Sequence, residues 1–319
     1  MRIAMPGAVL LAASLLLTGC QAGATSPAEP SPSAAASHSA SAQPATSEAD
    51  IAKVRKLLPE QAPQRVVSMS VGLTEIADAL GVPLVGVPSS QNPLPEGVKD
   101  VEKVGNSVEP NLEKIAQLKP DLVLSPASIG ESIDKKLKPL NLESSHLPTD
   151  SVAELKATTL ALGELFDATE QAQDLVRQVE QAEAAARDTA AGESKKVLML
   201  FGSPGELMVM GENTFAGEIT KSLGAVNVAT ELGQGEAYTP LSMEQVVAQD
   251  PDVVLILAHG EADTVLEGVK EELAGQAAWQ KVTASKNDAI HALPFELYGL
   301  SSITSAPEAF KTMAAALGS

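Results

Sequence analysis

The chain repeats itself at long range. Asn111-Leu-Glu-Lys-Ile-Ala-Gln-Leu-Lys-Pro120-Asp-Leu-Val-Leu124 recurs as Ser242-Met-Glu-Gln-Val-Val-Ala-Gln-Asp-Pro251-Asp-Val-Val-Leu255. Pro120 answers Pro251 and Glu113 answers Glu244, both at an offset of 131 without a gap. Each copy holds a helical pattern, a Pro-Asp break and a short run of Val and Leu. Such a run directly after a breaker reads as a helix feeding a buried parallel strand. Two similar α/β lobes follow from this.

Residues 151–190, between the copies, read as helical. Ser151 with Glu154 forms a capping box, and Asp167 with Glu170 forms a second. Gly163 and Phe166-Asp167 mark a break. The second piece carries Ala172, Leu175, Val176, Val179, Ala182 and Ala186 on one stripe, opposite Gln, Glu and Arg. At about 1.5 Å per residue, 168–190 would span roughly 34 Å, enough to run along both lobes. An ordinary amphipathic helix shows the same stripe, but the duplication on either side favours a rigid connector. The expected division is a leader at 1–19, Cys20 and a tether to residue 50, a first lobe at 51–150, linking helices at 151–194 and a second lobe at 195–319.

The leader has Arg2 at its charged end and an apolar segment from Val9 to Leu17, too short for a permanent span. It ends Leu17-Thr-Gly-Cys20, similar to a bacterial lipobox, in which the Cys becomes the lipidated first residue. Cys20 is the sole Cys, so no internal disulfide is available. Residues 21 to about 50 are rich in Ala, Ser, Pro and Thr and hold too little large apolar surface to offset the entropy of ordering. The net charge of −19, from 22 basic and 41 acidic residues, argues against a nucleic-acid partner and against attraction to anionic headgroups.

Candidate site residues sit where strands end. Ser70, Val71 and Gly72 turn the first strand into a helix whose free N–H groups could receive an anion, although Ser70 could equally be a plain N-cap. Ser128 follows the first repeated strand, and the offset places it opposite His259 after Val253–Ala258. Tyr238 precedes the second repeated helix. Histidine ligates haem iron and borderline metals, but a lone His at a strand end is more often structural. His146 and His291 fall inside strand patterns, where a core or edge role is favoured, and core is the safer place for Met208 and Met210. No nucleophile elbow, zincin motif, phosphate loop or Cys pair is present in the sequence.

From Arg65 onward the chain resembles the substrate-binding lipoproteins of bacterial iron-complex importers, and most of all the haem receptors of the IsdE type. The resemblance rests on Val104-Gly-Asn-Ser-Val-Glu-Pro-Asn-Leu-Glu113, Lys119-Pro-Asp-Leu-Val-Leu-Ser125, Phe201-Gly-Ser-Pro-Gly205, the helix at 215–223 and Ala258-His-Gly260. It implies a monomeric, lipid-anchored receptor on the extracytoplasmic face that carries haem to an ABC permease dimer and its ATPase. His259 maps onto the iron ligand. The family's second ligand is a Met at the position of Val108, which cannot ligate, leaving the iron five-coordinate or served by Met69 or Met210. Propionates map to Ser70–Gly72, within a cleft that includes Val108, Ser128 and Tyr238, and permease docking maps to Glu113 and Glu244. A ferric siderophore or cobalamin is the alternative cargo, and a metal-chelatase-like enzyme is the alternative class.

Overall fold

The computed structural model describes residues 46–190, 192, 194–232, 236–258 and 261–318. Cys20, the leader and the tether as far as residue 45 lie outside them, as do His259 and Gly260. Helix begins before the expected tether boundary at residue 50. Ser47 caps it by accepting from Asp50 N–H at 3.1 Å, and Val54 anchors it in the core.

The first lobe runs α1 (Glu48–Arg55), β1 (Val66–Ser68), α2 (Val71–Ala79), β2 (Leu84–Val87), β3 (Glu102–Lys103), α3 (Leu112–Leu118), β4 (Leu122–Pro126), α4 (Gly130–Leu137) and β5 (Ser144–Leu147). Its strands are all parallel, in the order β3-β2-β1-β4-β5. The connector is α5 (Val152–Leu165) and α6 (Thr169–Ala190). The second lobe begins with β6 (Lys196–Ser203), β7 (Glu206–Met210), α7 (Phe215–Ser222), β8 (Val226–Asn227), α8 (Ala229–Leu232) and β9 (Tyr238–Pro240). It continues with α9 (Met243–Gln249), β10 (Val253–Ala258), α10 (Ala262–Ala274), α11 (Thr283–Lys286), β11 (Ile290–Leu293), α12 (Phe295–Tyr298) and α13 (Ala306–Gly318). Its sheet is ordered β11-β10-β6-β7-β9, with β7 antiparallel to both neighbours. The two sheets are separate, as two lobes require.

The repeat is carried into backbone detail. Helices α3 and α9 start and end 131 residues apart, and each closes on a left-handed residue before proline, Lys119 at φ 46° and Asp250 at φ 48°. The proline disfavours right-handed helix in the residue before it, and the left-handed turn ends the helix instead. The aspartate after each proline then ties the strand to its neighbour. Asp121 accepts from Gln64 N–H at 2.9 Å and Asp252 from Lys196 N–H at 2.8 Å, each at the start of its lobe's central strand. Six consecutive buried residues in β10 reflect a strand covered on both faces.

The connector is a helix pair with a sharp junction. Ser151 caps α5 as expected, accepting from Glu154 N–H at 3.2 Å, while the Glu154 carboxylate receives Asp150 N–H. The expected second capping box at Asp167 does not form. Asp167 is left-handed at φ 55°, and Ala168 N–H reaches back to the Gly163 carbonyl at 2.8 Å, so the residue closes α5 in a Schellman turn rather than opening α6. Gly163 is needed at the crossing, because a side chain there would collide with Ala172 of α6. One apolar cluster joins Leu73 and Ile76 of the first lobe to Leu155, Leu162 and Val179 of the connector and Met199, Phe215 and Phe310 of the second. Trp279 packs in a separate second-lobe cluster. No helix among the described residues is long and apolar enough to cross a membrane.

A polar relay, buried only at Ser125, links α4 to its sheet. Ser125 Oγ pairs with His146 Nδ1 at 2.6 Å, and His146 Nε2 with Asp134 Oδ1 at 2.8 Å. Nucleophilic catalysis uses these three residue types, yet Ser125 is fully buried and open to no substrate. Ser125 and Asp134, the two ends of the relay, flank the turn at 127–129, which carries Ser128. The hydrogen bond from His146, then that from Ser144, holds the Asp134 carboxyl down at about 2.

Two outcomes follow. Asp121→Ala and Asp252→Ala should each lower unfolding free energy by about 0.5–1.5 kcal/mol in urea melts, and add, since they sit in different lobes. The Asp134 contribution is complete above its unfolded value of 3.8 and vanishes as pH falls through about 2. The stability gap between wild type and Asp134→Asn, followed by urea melts, should therefore shrink as pH falls between those values.

Candidate ligand cleft

The parallel strands of both lobes point their C-terminal ends at one cavity of about 500 Å³, within the range of small-molecule sites. The first lobe contributes Ser128, from the turn after β4, and Asp150, from the segment between β5 and α5. The second contributes Phe201, Met210, Tyr238 and Leu257, with Phe295 and Ser301 from the chain after β11. Phe201 and Tyr238 form a tilted pair, ring centroids 5.3 Å apart at 50°. The antiparallel β6-β7-β9 arrangement sets this pair, aligning Phe201 with Met208 and Met210 with Tyr238.

The hydroxyls differ in availability. Burial, and next the Asp150 carboxylate, raise the Tyr238 phenol above its ordinary value. Burial also raises Tyr298, whose hydroxyl donates to the Ala309 carbonyl at 2.7 Å and pairs with Thr312 at 2.7 Å. Tyr238 is 41% exposed and lines the cavity.

Ser128 and Tyr238 both line this cavity. Leu257 lines the cavity one residue before the end of β10, and His259 follows that strand outside the described residues. Other expectations are redirected. Ser70 is the plain N-cap of α2, accepting from Leu73 N–H at 3.2 Å. Gly72 lies beneath the Ser301 carbonyl oxygen, 2.6 Å from where a Cβ would stand, and Val71 is buried. None of the three lines the cavity; Ser301 occupies that edge instead. Val108 is 68% exposed on a turn held by Asn106, and its carbonyl receives Lys136. Met69 is 1% exposed in a first-lobe cluster with Val67, Val104 and Ile115, away from the cavity, so its role as a substitute ligand is withdrawn. Met210, equally buried, does border the cavity. Glu113 and Glu244 are exposed in the first turns of α3 and α9. No cluster of three metal-ligating His, Cys, Asp or Glu occurs among the described residues.

Sequence reasoning missed Phe201, Asp150, Phe295 and Ser301. The alternation in Glu206–Met210 against Tyr238–Pro240 was the available signal for the aromatic pair.

Known proteins share this architecture. The chain is 30% identical over 247 residues to the Staphylococcus aureus (strain MRSA252) high-affinity heme uptake system protein IsdE, covering 77% of this chain and 84% of that one. The crystal structure of S. aureus IsdE complexed with heme superposes with a TM-score of 0.71 at 28% identity, over 80% of this chain and 99% of that one. An ABC transporter substrate-binding protein from Listeria monocytogenes EGD-e superposes with a TM-score of 0.73 at 32% identity, over 79% and 98%. The family model described as periplasmic binding protein matches residues 66–297, and with two lobes around a strand-end cleft the chain belongs to that family.

Proposed function

We propose that this chain is the substrate-binding receptor of an ABC importer, anchored through Cys20 outside the membrane, and that haem is its cargo. The observation that carries the reading is the strand-end cavity, where an apolar aromatic wall adjoins the residue preceding Ala258-His259. It is supported by the 30% identity to a haem uptake protein across 77% of the chain. Binding is the whole of the chemistry. Phe201 and Tyr238 offer flat apolar surface to a macrocycle, and His259 offers an imidazole to iron. Met210 borders the cavity and is the remaining candidate for a sixth ligand; without it the iron is five-coordinate. Acidic groups of the guest meet the Tyr238 hydroxyl rather than the turn at Ser70–Gly72.

A second cargo is favoured by one observation. Val108 is a non-ligand and Met69 is buried in the core, which leaves only Met210, itself 1% exposed, to partner His259 in a bis-axial site. A ferric siderophore brings its own iron ligands and would need none, and cobalamin likewise carries its metal enclosed. A chelatase-like enzyme would require a metal-delivering base beyond His259.

Haemin titrated into the purified chain should produce a saturable Soret band, and His259→Ala should shift that band and weaken binding by tenfold or more. Absence of any Soret change, with calorimetric binding of a ferric siderophore, would transfer the role to that cargo. Docking is read separately. Glu113→Arg and Glu244→Arg should leave the haemin titration unchanged while import into whole cells falls, because both carboxylates are exposed and neither lines the cavity.

A further inference from the structure

We infer that Glu75 and Glu218 are positioning residues, a matched pair of clasps that set how far the cleft opens. The first α-helix of each lobe, after its opening strands, begins on a hydroxyl cap. Ser70 Oγ accepts from Leu73 N–H at 3.2 Å in α2, and Thr214 Oγ1 accepts from Gly217 N–H at 3.1 Å in α7. About one turn on, each helix sends a carboxylate out of its own lobe. Glu75 of the first lobe receives the hydroxyls of Ser302 and of Thr304, the latter at 2.5 Å. Glu218 of the second lobe receives the N–H groups of Val152 and of Ala153, the latter at 3.3 Å.

Both carboxylates end at the start of a helix in the wall shared by the lobes. Ser302 Oγ also accepts from Thr304 N–H and Ser305 N–H, at 3.2 and 3.3 Å, and so organises the entry to α13. Val152 and Ala153 are the first two residues of α5. Helix N-termini favour negative charge, and two independent helices meet that preference with a residue from the far side. Burial raises the Glu218 carboxyl, so this group is kept in place against its own desolvation.

Each clasp adjoins a wall of the cavity. Ser301, beside Ser302, lines it in a left-handed conformation at φ 44° and presses its carbonyl on Gly72. Asp150, two residues before Val152, lines it from the first lobe. A second cavity of about 480 Å³ adjoins both Glu218 and the start of α5, with Lys156, Glu183 and Phe310 on its border. The clasps act on lobe geometry whatever the cargo.

The test uses the full chain with Cys20→Ser, which removes its sole thiol. Spin labels go on Gln117→Cys and Ala248→Cys, exposed and equivalent positions of α3 and α9. Pulsed dipolar spectroscopy should give one narrow distance distribution. Glu75→Ala and Glu218→Ala should each broaden it and shift its mean, the double variant more than either, and Glu75→Gln, which retains an acceptor oxygen, should restore the narrow form. Thr304→Val removes one partner from an exposed side and serves if the alanine variants do not fold; it should broaden the distribution in the same direction. A distribution unchanged in the folded alanine variants, or in Thr304→Val where those fail to fold, overturns the inference.

Discussion

The apolar seam along the connector is the constraint from which the other features follow. Two twisted sheets, each needing cover for its inner face, share α5, α6 and α13 rather than building separate walls. Residues of both lobes meet in one cluster there, from Leu73 and Ile76 through Leu155 and Val179 to Phe215 and Phe310. Burial of large apolar side chains contributes about 1.5–3 kcal/mol each. The orientation of the lobes is therefore tied to core packing, unlike that of domains joined by a loose linker. Closeness at the seam requires the glycine at 163, since α5 and α6 touch there backbone to side chain.

With that seam behind, the strand ends must face each other in front, but the lobes do not furnish the cleft equally. In the first lobe every strand is parallel, and what reaches the cavity is loop: Ser128 and Asp150. In the second, the β7 hairpin runs antiparallel and its partner β9 brings Tyr238 over Phe201. A tilted ring pair adds roughly 0.5–1.5 kcal/mol beyond burial, which stiffens that wall before any guest arrives. The result is a polar edge opposite an aromatic face, a division suited to an amphipathic molecule with a flat apolar body.

Much of this was legible in the residues and some was not, for a physical reason. The duplicated Pro-Asp units, the central strands and the helices of the connector are local patterns, and they appear where periodicity and breakers place them. The left-handed caps at Lys119 and Asp250 follow from the prolines but need the backbone to be seen. Asp167 carries the same composition for opening a helix as for closing one, and the path of the chain through Gly163 decided in favour of closure. The Ser125–His146–Asp134 relay joins residues 9 to 21 positions apart through strand register and a helix turn, which no spacing rule encodes. Ser70 satisfied both a capping and an anion-binding pattern. The segment at 300–304, some 230 residues away, settled the matter by covering Gly72.

The acidity of the chain bears on what the cleft can hold. A formal charge of −19 repels an acidic guest at a distance, but at physiological ionic strength that field decays over about 8 Å. Inside the cavity local groups decide. Asp150 stands at the first-lobe edge, and after burial it is the second cause that raises the Tyr238 phenol, a group already protonated at neutral pH. A protonated phenol donates a hydrogen bond, whereas a phenolate would repel. The chain has two tyrosines, and Tyr298 already commits its proton to the Ala309 carbonyl. Tyr238, 41% exposed at the cavity, is therefore the phenol placed to meet an acidic group of a guest.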